Sequence, residues 1–352
     1  MSERFLIYGA TGYTGQLLAE QAKRRGLDVV LAGRSAGRLA PVAERLGLEP
    51  RVIDLRRRDQ LETALADVDA VLHVAGPFVE TARAMVDACL ATRTHYLDVT
   101  GELEVFEAIA RRDDEARAAG VTLLPGVGFD VVPSDCLAAH VAARLESPTG
   151  LRIAIAGLGG GASRGTAKSA IGMLAKGLQI RSEGVLATRP LGSLERHFDF
   201  GAGPARAVAM PLGDVSTAFH TTGIPNIEVY VAMSGRLPGL MRTARLASPL
   251  LGLAPVQHFL KRRIDRGPEG PSEAERDATR CLILAEAEAP GEGVARALLE
   301  TPSGYALTRD VGIEAARRVA AGDCPPGFQT PGRAFGADFI LEFEGCLRSD
   351  LD

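Results

Sequence analysis

Seven residues constrain this chain more than any other stretch: Gly9-Ala10-Thr11-Gly12-Tyr13-Thr14-Gly15. They stand between a short apolar run, Arg4 to Tyr8, and an amphipathic stretch carrying Leu17, Leu18, Gln21 and Ala22 before Gly26. A strand that hands over to a helix through three glycines suits a dinucleotide. One glycine makes the tight turn, a second lets the backbone approach a pyrophosphate, and a third lets helix pack close on strand. The helix N-terminus then offers N–H groups to the anion. The spacing is GxxGxxG rather than GxGxxG. In a chain with 40 glycines the triplet alone means little. Its position at the head of an alternating pattern gives it weight.

That pattern runs for about 130 residues. Strand-like runs recur at Val29 to Ala32, Arg51 to Leu55, Ala70 to Ala75, Tyr96 to Val99 and Val121 to Leu124. Helix-like stretches separate them, notably Ala36 to Leu46, Glu80 to Ala91 and Leu103 to Ala119. Apolar strands alternating with amphipathic helices predict an α/β, Rossmann-type doubly wound parallel sheet.

The end of the second strand selects the dinucleotide. An Asp or Glu there would accept from the ribose hydroxyls of NAD, but the chain reads Gly33-Arg34-Ser35 with Arg38 a turn later. Guanidinium groups and a hydroxyl suit the 2′-phosphate of NADP(H), which an acid would repel. Asp54, after the third strand, is placed to meet the adenine amino group. Ala75-Gly76-Pro77-Phe78, after the fourth, should pass the cofactor, because ligands collect at the carboxyl ends of such strands.

Composition removes several alternatives. A net charge of −4 gives no reason to expect nucleic acid. No apolar run approaches a membrane span, and an acid at Glu3 followed at once by a strand does not suit a signal peptide. The 5 cysteines are scattered without a CxxC pair, which favours reduced thiols in the cytoplasm and offers no zinc site. GxSxG occurs at Gly33 to Gly37 and Gly161 to Gly165, but nothing around the last histidine, His258, resembles a triad loop. No tyrosine is followed four residues later by lysine. Gly165-Thr166-Ala167-Lys168-Ser169 lacks the glycine that must precede a P-loop lysine, and no HExxH is present, so no metal is expected.

GATGYTG, then AGRS, AGPF, HYLDVTGE (His95 to Glu102) and PGVGFDVVPSD (Pro125 to Asp135) resemble the saccharopine dehydrogenase-like oxidoreductases, and within them the trans-acting enoyl reductase branch. The similarity continues through Gly160 to Thr166, Tyr305 to Thr308 and Gly327 to Gly332, and is loose from Gly184 to Glu275. The resemblance implies an NADP-binding domain over 1–135 and a smaller α+β domain over 136–325 for substrate cover or dimerisation. A closing C-terminal helix over 326–352 would return to the first domain. No site for a dicarboxylic amino acid is recognisable, so saccharopine itself is not the expected substrate.

In the second half, Leu151 to Gly157 reads as a strand and Ser163 to Leu178 as a helix. Alternating runs follow at Val215 to Thr222, Ile227 to Met233 and Thr279 to Ala289, and Thr330-Pro331 reads as a helix start. Residues 236–266 combine Arg242, Arg245, Lys261, Arg262 and Arg263 with many leucines and a single acid, Asp265. Such a segment fits either a helix pair with a solvated basic face, or a surface that docks an acidic carrier protein or lies peripherally on a membrane.

Hydride transfer belongs to the cofactor; the protein must orient the acceptor and supply a proton. Asp98, Glu102 and Asp130 are the candidate donors, since burial can raise a carboxyl toward neutrality. Helix capping and structural hydrogen bonding remain open for each. Tyr96, Ser134, Ser163 and Thr166 are candidates to line the substrate. The expected activity is NADP(H)-dependent reduction of an activated double bond, first the C=C of an enoyl thioester. The alternatives are C=N reduction and a non-catalytic NADP(H)-binding redox sensor or scaffold. A homodimer is compatible with the mixed sheet of the second half.

Overall fold

The computed structural model describes residues 3–158, 161–233 and 253–351. Two compact units divide the chain: residues 1–100, 104–129 and 305–334 form the first, and residues 101–103, 130–304 and 335–352 the second.

The first unit begins β1 (Phe5–Tyr8), α1 (Tyr13–Arg24), β2 (Val29–Gly33), α2 (Ala36–Leu46), β3 (Glu49–Val52) and α3 (Arg58–Leu65). It continues with β4 (Ala70–His73), α4 (Phe78–Thr92), β5 (His95–Asp98), α5 (Leu103–Ala110), α6 (Asp113–Ala119) and β6 (Thr122–Leu124). All pairings in this sheet are parallel, and the order β3-β2-β1-β4-β5-β6 is that of a dinucleotide-binding fold. A short strand from the far end of the chain, Gly327–Phe328, adds beside β6. Strands β1, β2 and β4 are buried along their whole length, which is why they read as unbroken apolar runs. The third strand is an exposed edge and lies two residues earlier than expected.

The expected helix over Leu103 to Ala119 is two helices. Arg111 and Arg112 interrupt it, and Asp113, Asp114 and Glu115 open a new first turn where the helix dipole favours acids. Arg112 fixes the break by bridging Asp87 of α4 and Glu115 of α6.

The second unit runs α7 (Val132–Ala142), β7 (Gly150–Ala156), α8 (Arg164–Leu174), β8 (Leu178–Ser182), β9 (Val185–Arg189), β10 (Glu195–Asp199) and β11 (Pro204–Ala209). Next come α9 (Asp214–Thr222), β12 (Asn226–Ala232), α10 (Ala254–Ile264), α11 (Glu273–Ala278), β13 (Arg280–Ala289) and β14 (Gly293–Pro302). Its mixed sheet has the order β10-β11-β12-β7-β13-β14 and then Leu347–Leu351, the last strand of the chain, with β8 and β9 branching from β12. Ala154, Tyr230 and Leu284 join Leu178, Ile180 and Phe198 in one core on one face. By strand alternation Ile153, Val229 and Ile283 turn to the opposite face, and α7 and α9 pack against this sheet.

One expected strand, Val215 to Thr222, is the helix α9. Its β-branched residues suggest a strand, but residues 214–218 are buried without a break, and Gly223 stops the helix in the left-handed conformation at φ 74°. The return to the first unit begins at Tyr305, ahead of the expected 326. It is carried by α12 (Gly304–Ala320), β15 (Gly327–Phe328) and α13 (Pro331–Phe335), after which a 3-10 turn leads to β16 (Leu347–Leu351). The closing helix is therefore α12, and the final residues complete the second sheet. The hydroxyl of Thr308 anchors α12 by accepting from the buried Phe129 N–H at 2.9 Å.

Candidate functional site

The glycine loop is built as the spacing requires. Gly9 sits at φ +97°, and a Cβ there would lie 2.9 Å from the Ala75 nitrogen. A Cβ at Gly15 would lie 2.2 Å from the Gly9 carbonyl oxygen, so any side chain would prise helix from loop. The turn closes through Gly12 N–H to Gly9 O at 3.0 Å, and Gly9 and Ala10 both donate to Ala32 O of β2. No side chain caps α1, which leaves its N-terminal turn to an incoming anion. Thr11, Tyr13 and Thr14 are half-buried around this turn. Tyr305 meets Tyr13 edge-on at 5.1 Å, a contact from α12 that the local motif did not disclose.

Gly33 ends β2, and Arg34 and Arg38 are exposed just beyond it. Among the described residues no carboxylate forms an ion pair with either guanidinium. Ser35 occupies the N-cap of α2 without making a side-chain cap bond. The hydroxyl, the helix terminus and both guanidiniums are thus available to one phosphate, so this corner fits NADP(H). Asp54 lies next to it, its carboxylate held down at about 2 first by the Arg56 hydrogen bond. It therefore carries a charge at neutral pH and can accept from an amino group.

The Ala75-Gly76-Pro77-Phe78 loop is fixed from below by His73. Thr81 donates its hydroxyl proton to Ala75 O at 2.9 Å, so the His73 Nε2, also at 2.9 Å, must be the donor to Thr81. Burial pushes His73 down to about 3, which keeps it neutral. Its ring packs between Tyr8, Phe78 and Tyr96.

The candidate carboxyls have different surroundings. Asp98 is fully buried; Oδ1 accepts from the Thr100 and Gly126 N–H groups, and Oδ2 accepts from Tyr96 Oη at 2.6 Å. Tyr96 and Asp98 together therefore tie the ends of β5 and β6. Glu102 is nearly buried and accepts from Ser169 Oγ at 2.6 Å. Asp130 is exposed, yet the protein ringing it removes enough water to push its pKa up to about 6. A Cβ at Gly101 would lie 3.1 Å from Asp130 Oδ2, so the two candidate loops meet at this carboxyl. Ser163 caps α8, accepting from Thr166 N–H, while Thr166 itself is exposed. Ser134 is buried and bonds to Asp214, a residue the strand reading of that segment concealed.

Residues 5–124 match the family model described as the saccharopine dehydrogenase NADP binding domain. A Mycobacterium tuberculosis protein provisionally assigned as a trans-acting enoyl reductase is 33% identical over 182 residues, 48% of this chain and 43% of that protein. The Mycobacterium leprae trans-acting enoyl reductase is 36% identical over 138 residues, covering 37% of this chain and 33% of its own. The chain thus matches less than half the length of these relatives. Apo saccharopine dehydrogenase (L-Glu forming) from Saccharomyces cerevisiae superposes with a TM-score of 0.68 over 99% of this chain and 100% of its own, at 12% identity. That likeness shows a shared fold.

Proposed function

Because residues 5–124 form an NADP-binding domain of the saccharopine dehydrogenase type, we propose that the chain is an NADP(H)-dependent oxidoreductase that reduces the C=C of an enoyl thioester. The observation that carries the chemistry is the place of the Asp130 carboxyl, exposed to solvent, brought up against Gly101 and crowded by protein that pushes its pKa up, which makes it a usable acid. Bound NADPH would supply the hydride to the β-carbon. Asp130 would deliver the proton to the α-carbon, and solvent would reprotonate it between turnovers. Asp98, with both oxygens engaged, would hold the β5 and β6 loops in place. Glu102, Ser163 and Thr166 would border the acceptor. The trans-acting enoyl reductases among the relatives favour C=C over C=N.

The test is NADPH oxidation by the purified chain with crotonyl-coenzyme A, against a parallel arm holding a 2-oxo acid and a primary amine. Oxidation in the first arm, with the saturated thioester formed in equal amount, is the expected result. Oxidation only in the second would replace the reading with imine reduction. Tight NADPH binding with oxidation in neither, across a panel of chain lengths, would leave a sensor or scaffold.

The exposed face of α10 would receive an acidic carrier protein that presents the thioester. Phe259 is 65% exposed there, with Arg262 and Arg263 beside it. Residues 236–252 of the expected docking segment lie outside the described residues. No described helix is long and apolar enough to cross a membrane. Reversing Arg262 and Arg263 to Glu should weaken binding to an acidic acyl carrier protein by about tenfold, with crotonyl-coenzyme A turnover unchanged. Unchanged carrier affinity would make the basic face merely solvated; loss of binding only to anionic vesicles would redirect the surface to a membrane.

A further inference from the structure

Helices α8 and α10 pack against each other with little core of their own. None of the 11 residues of α8 is buried, although Leu174 leans on the sheet core at its far end. Every α10 side chain from Pro255 to Ile264 is likewise half-buried or exposed. Two helices with so little buried apolar surface depend on polar ties for a fixed placement.

Those ties sit on one stripe of α8. The Arg164 guanidinium donates to Gly267 O through Nη2 at 2.7 Å and Nε at 3.1 Å. Its backbone N–H donates to Glu269 O at 3.2 Å. Gly267 follows the C-terminal turn of α10, where the helix dipole favours a cation. One turn further along α8, Lys168 Nζ meets Asp265 at 2.5 Å. Asp265 is the single acid of residues 236–266 and stands at the α10 C-cap, where the dipole disfavours a negative charge. Lys168 offsets that charge, which gives the lone acid a purpose. The ion pair is partly exposed and contributes little alone, so Arg164 is the stronger tie.

Thr166 and Ser169 share the neighbouring stripe of α8. Ser169 Oγ donates to Glu102 Oε1 at 2.6 Å. Glu102 follows Gly101, where a Cβ would lie 3.1 Å from Asp130 Oδ2. A continuous set of contacts therefore runs from the end of α10, across α8, to the loop beside Asp130. We propose that Arg164 is a positioning residue: it locks α10 onto α8, and α8 through Ser169 aims the Glu102 carboxyl at the acceptor. This rests on Glu102 and Asp130 bordering the acceptor of the proposed reduction. A carrier protein seated on the basic face of α10 then bears on the helix that aims Glu102.

The test is hydrogen exchange of the full chain, read by mass spectrometry, in the wild type, Arg164→Ala and Ser169→Ala. In Arg164→Ala the amides of α10, α8 and the segment around Glu102 should exchange about tenfold faster, with β13 at its wild-type rate as evidence of folding. In Ser169→Ala the Glu102 segment should speed up and α10 should not; Ser169→Thr, which keeps the hydroxyl, should restore it. If Arg164→Ala unfolds β13 as well, Asp265→Asn opens the same junction more gently and is read in the same way. Faster exchange confined to α10, or a Glu102 segment that keeps its wild-type rate, would overturn the link. With crotonyl-coenzyme A, Ser169→Ala should lower kcat about tenfold, with KM and NADPH affinity within about twofold, and Ser169→Thr should recover the rate. An unchanged kcat in Ser169→Ala would reduce the link to a structural tie and overturn the positioning role. Exchange needs no turnover, so an intact link in a chain that reduces no thioester would condemn the enoyl reading and not the link.

Discussion

Arg34→Ala is expected to weaken NADPH binding by about 100-fold while NADH binding changes by less than about threefold, as a charge-assisted contact to a phosphate would require. The expectation rests on what surrounds the guanidinium. Arg34 is exposed at the carboxyl end of β2, and among the described residues no acid forms an ion pair with it. The neighbouring acid, Asp54, is committed to Arg56 through hydrogen bonds of 2.6 to 3.2 Å. Ser35 keeps its hydroxyl out of the α2 cap, and Arg38 follows one turn on. NADH lacks the 2′-phosphate, so its affinity reads only the loop at Gly9 to Gly15 and the strand ends. Titration calorimetry with both dinucleotides separates the two contributions. Equal losses would mean that Arg34 supports the fold of this corner and does not meet the phosphate. The NADPH effect should also shrink at high salt, because an exposed charge pair is screened.

The first domain was legible because two periodicities agree there. Buried parallel strands read as apolar runs, and Gly9 and Gly15 mark a turn where a Cβ would collide with backbone. Arg34 and Arg38 stand out for a related reason: an arginine pair where an acid is otherwise expected is a local signal. The second unit gave less. Val215, Thr217 and Thr221 carry strand propensity, yet α9 is helical because α7 and the sheet bury its first turn. Propensity lost to tertiary packing, and Asp214 was hidden with it. Tyr305 escaped notice because it reaches the glycine loop from nearly 300 residues away in sequence, and no local pattern reports such a contact. The carboxyls illustrate the same limit. Asp98, Glu102 and Asp130 look alike in sequence, and only their hydrogen bonds and exposure tell an anchored acid from an accessible one.

That difference makes Asp130→Asn the more demanding substitution. Turnover of the enoyl thioester should fall by about 100- to 10,000-fold, the usual contribution of a positioned general acid, while NADPH affinity stays within about twofold. Asparagine keeps the shape and the hydrogen-bonding reach but cannot release a proton at any accessible pH. The acid form of Asp130 is populated below about pH 6, so the wild-type rate should fall on the alkaline side. In Asp130→Asn the residual rate should lose this dependence, which a purely structural defect would not achieve. If the variant retains its rate and its pH profile, the proton comes from elsewhere, and Glu102, nearly buried and held by Ser169, becomes the next carboxyl to replace. If the rate falls and the alkaline limb disappears together, donor and proton source are the same residue. The exposure of Asp130 then has its explanation: an acid that must be reprotonated in every turnover has to stay in reach of water.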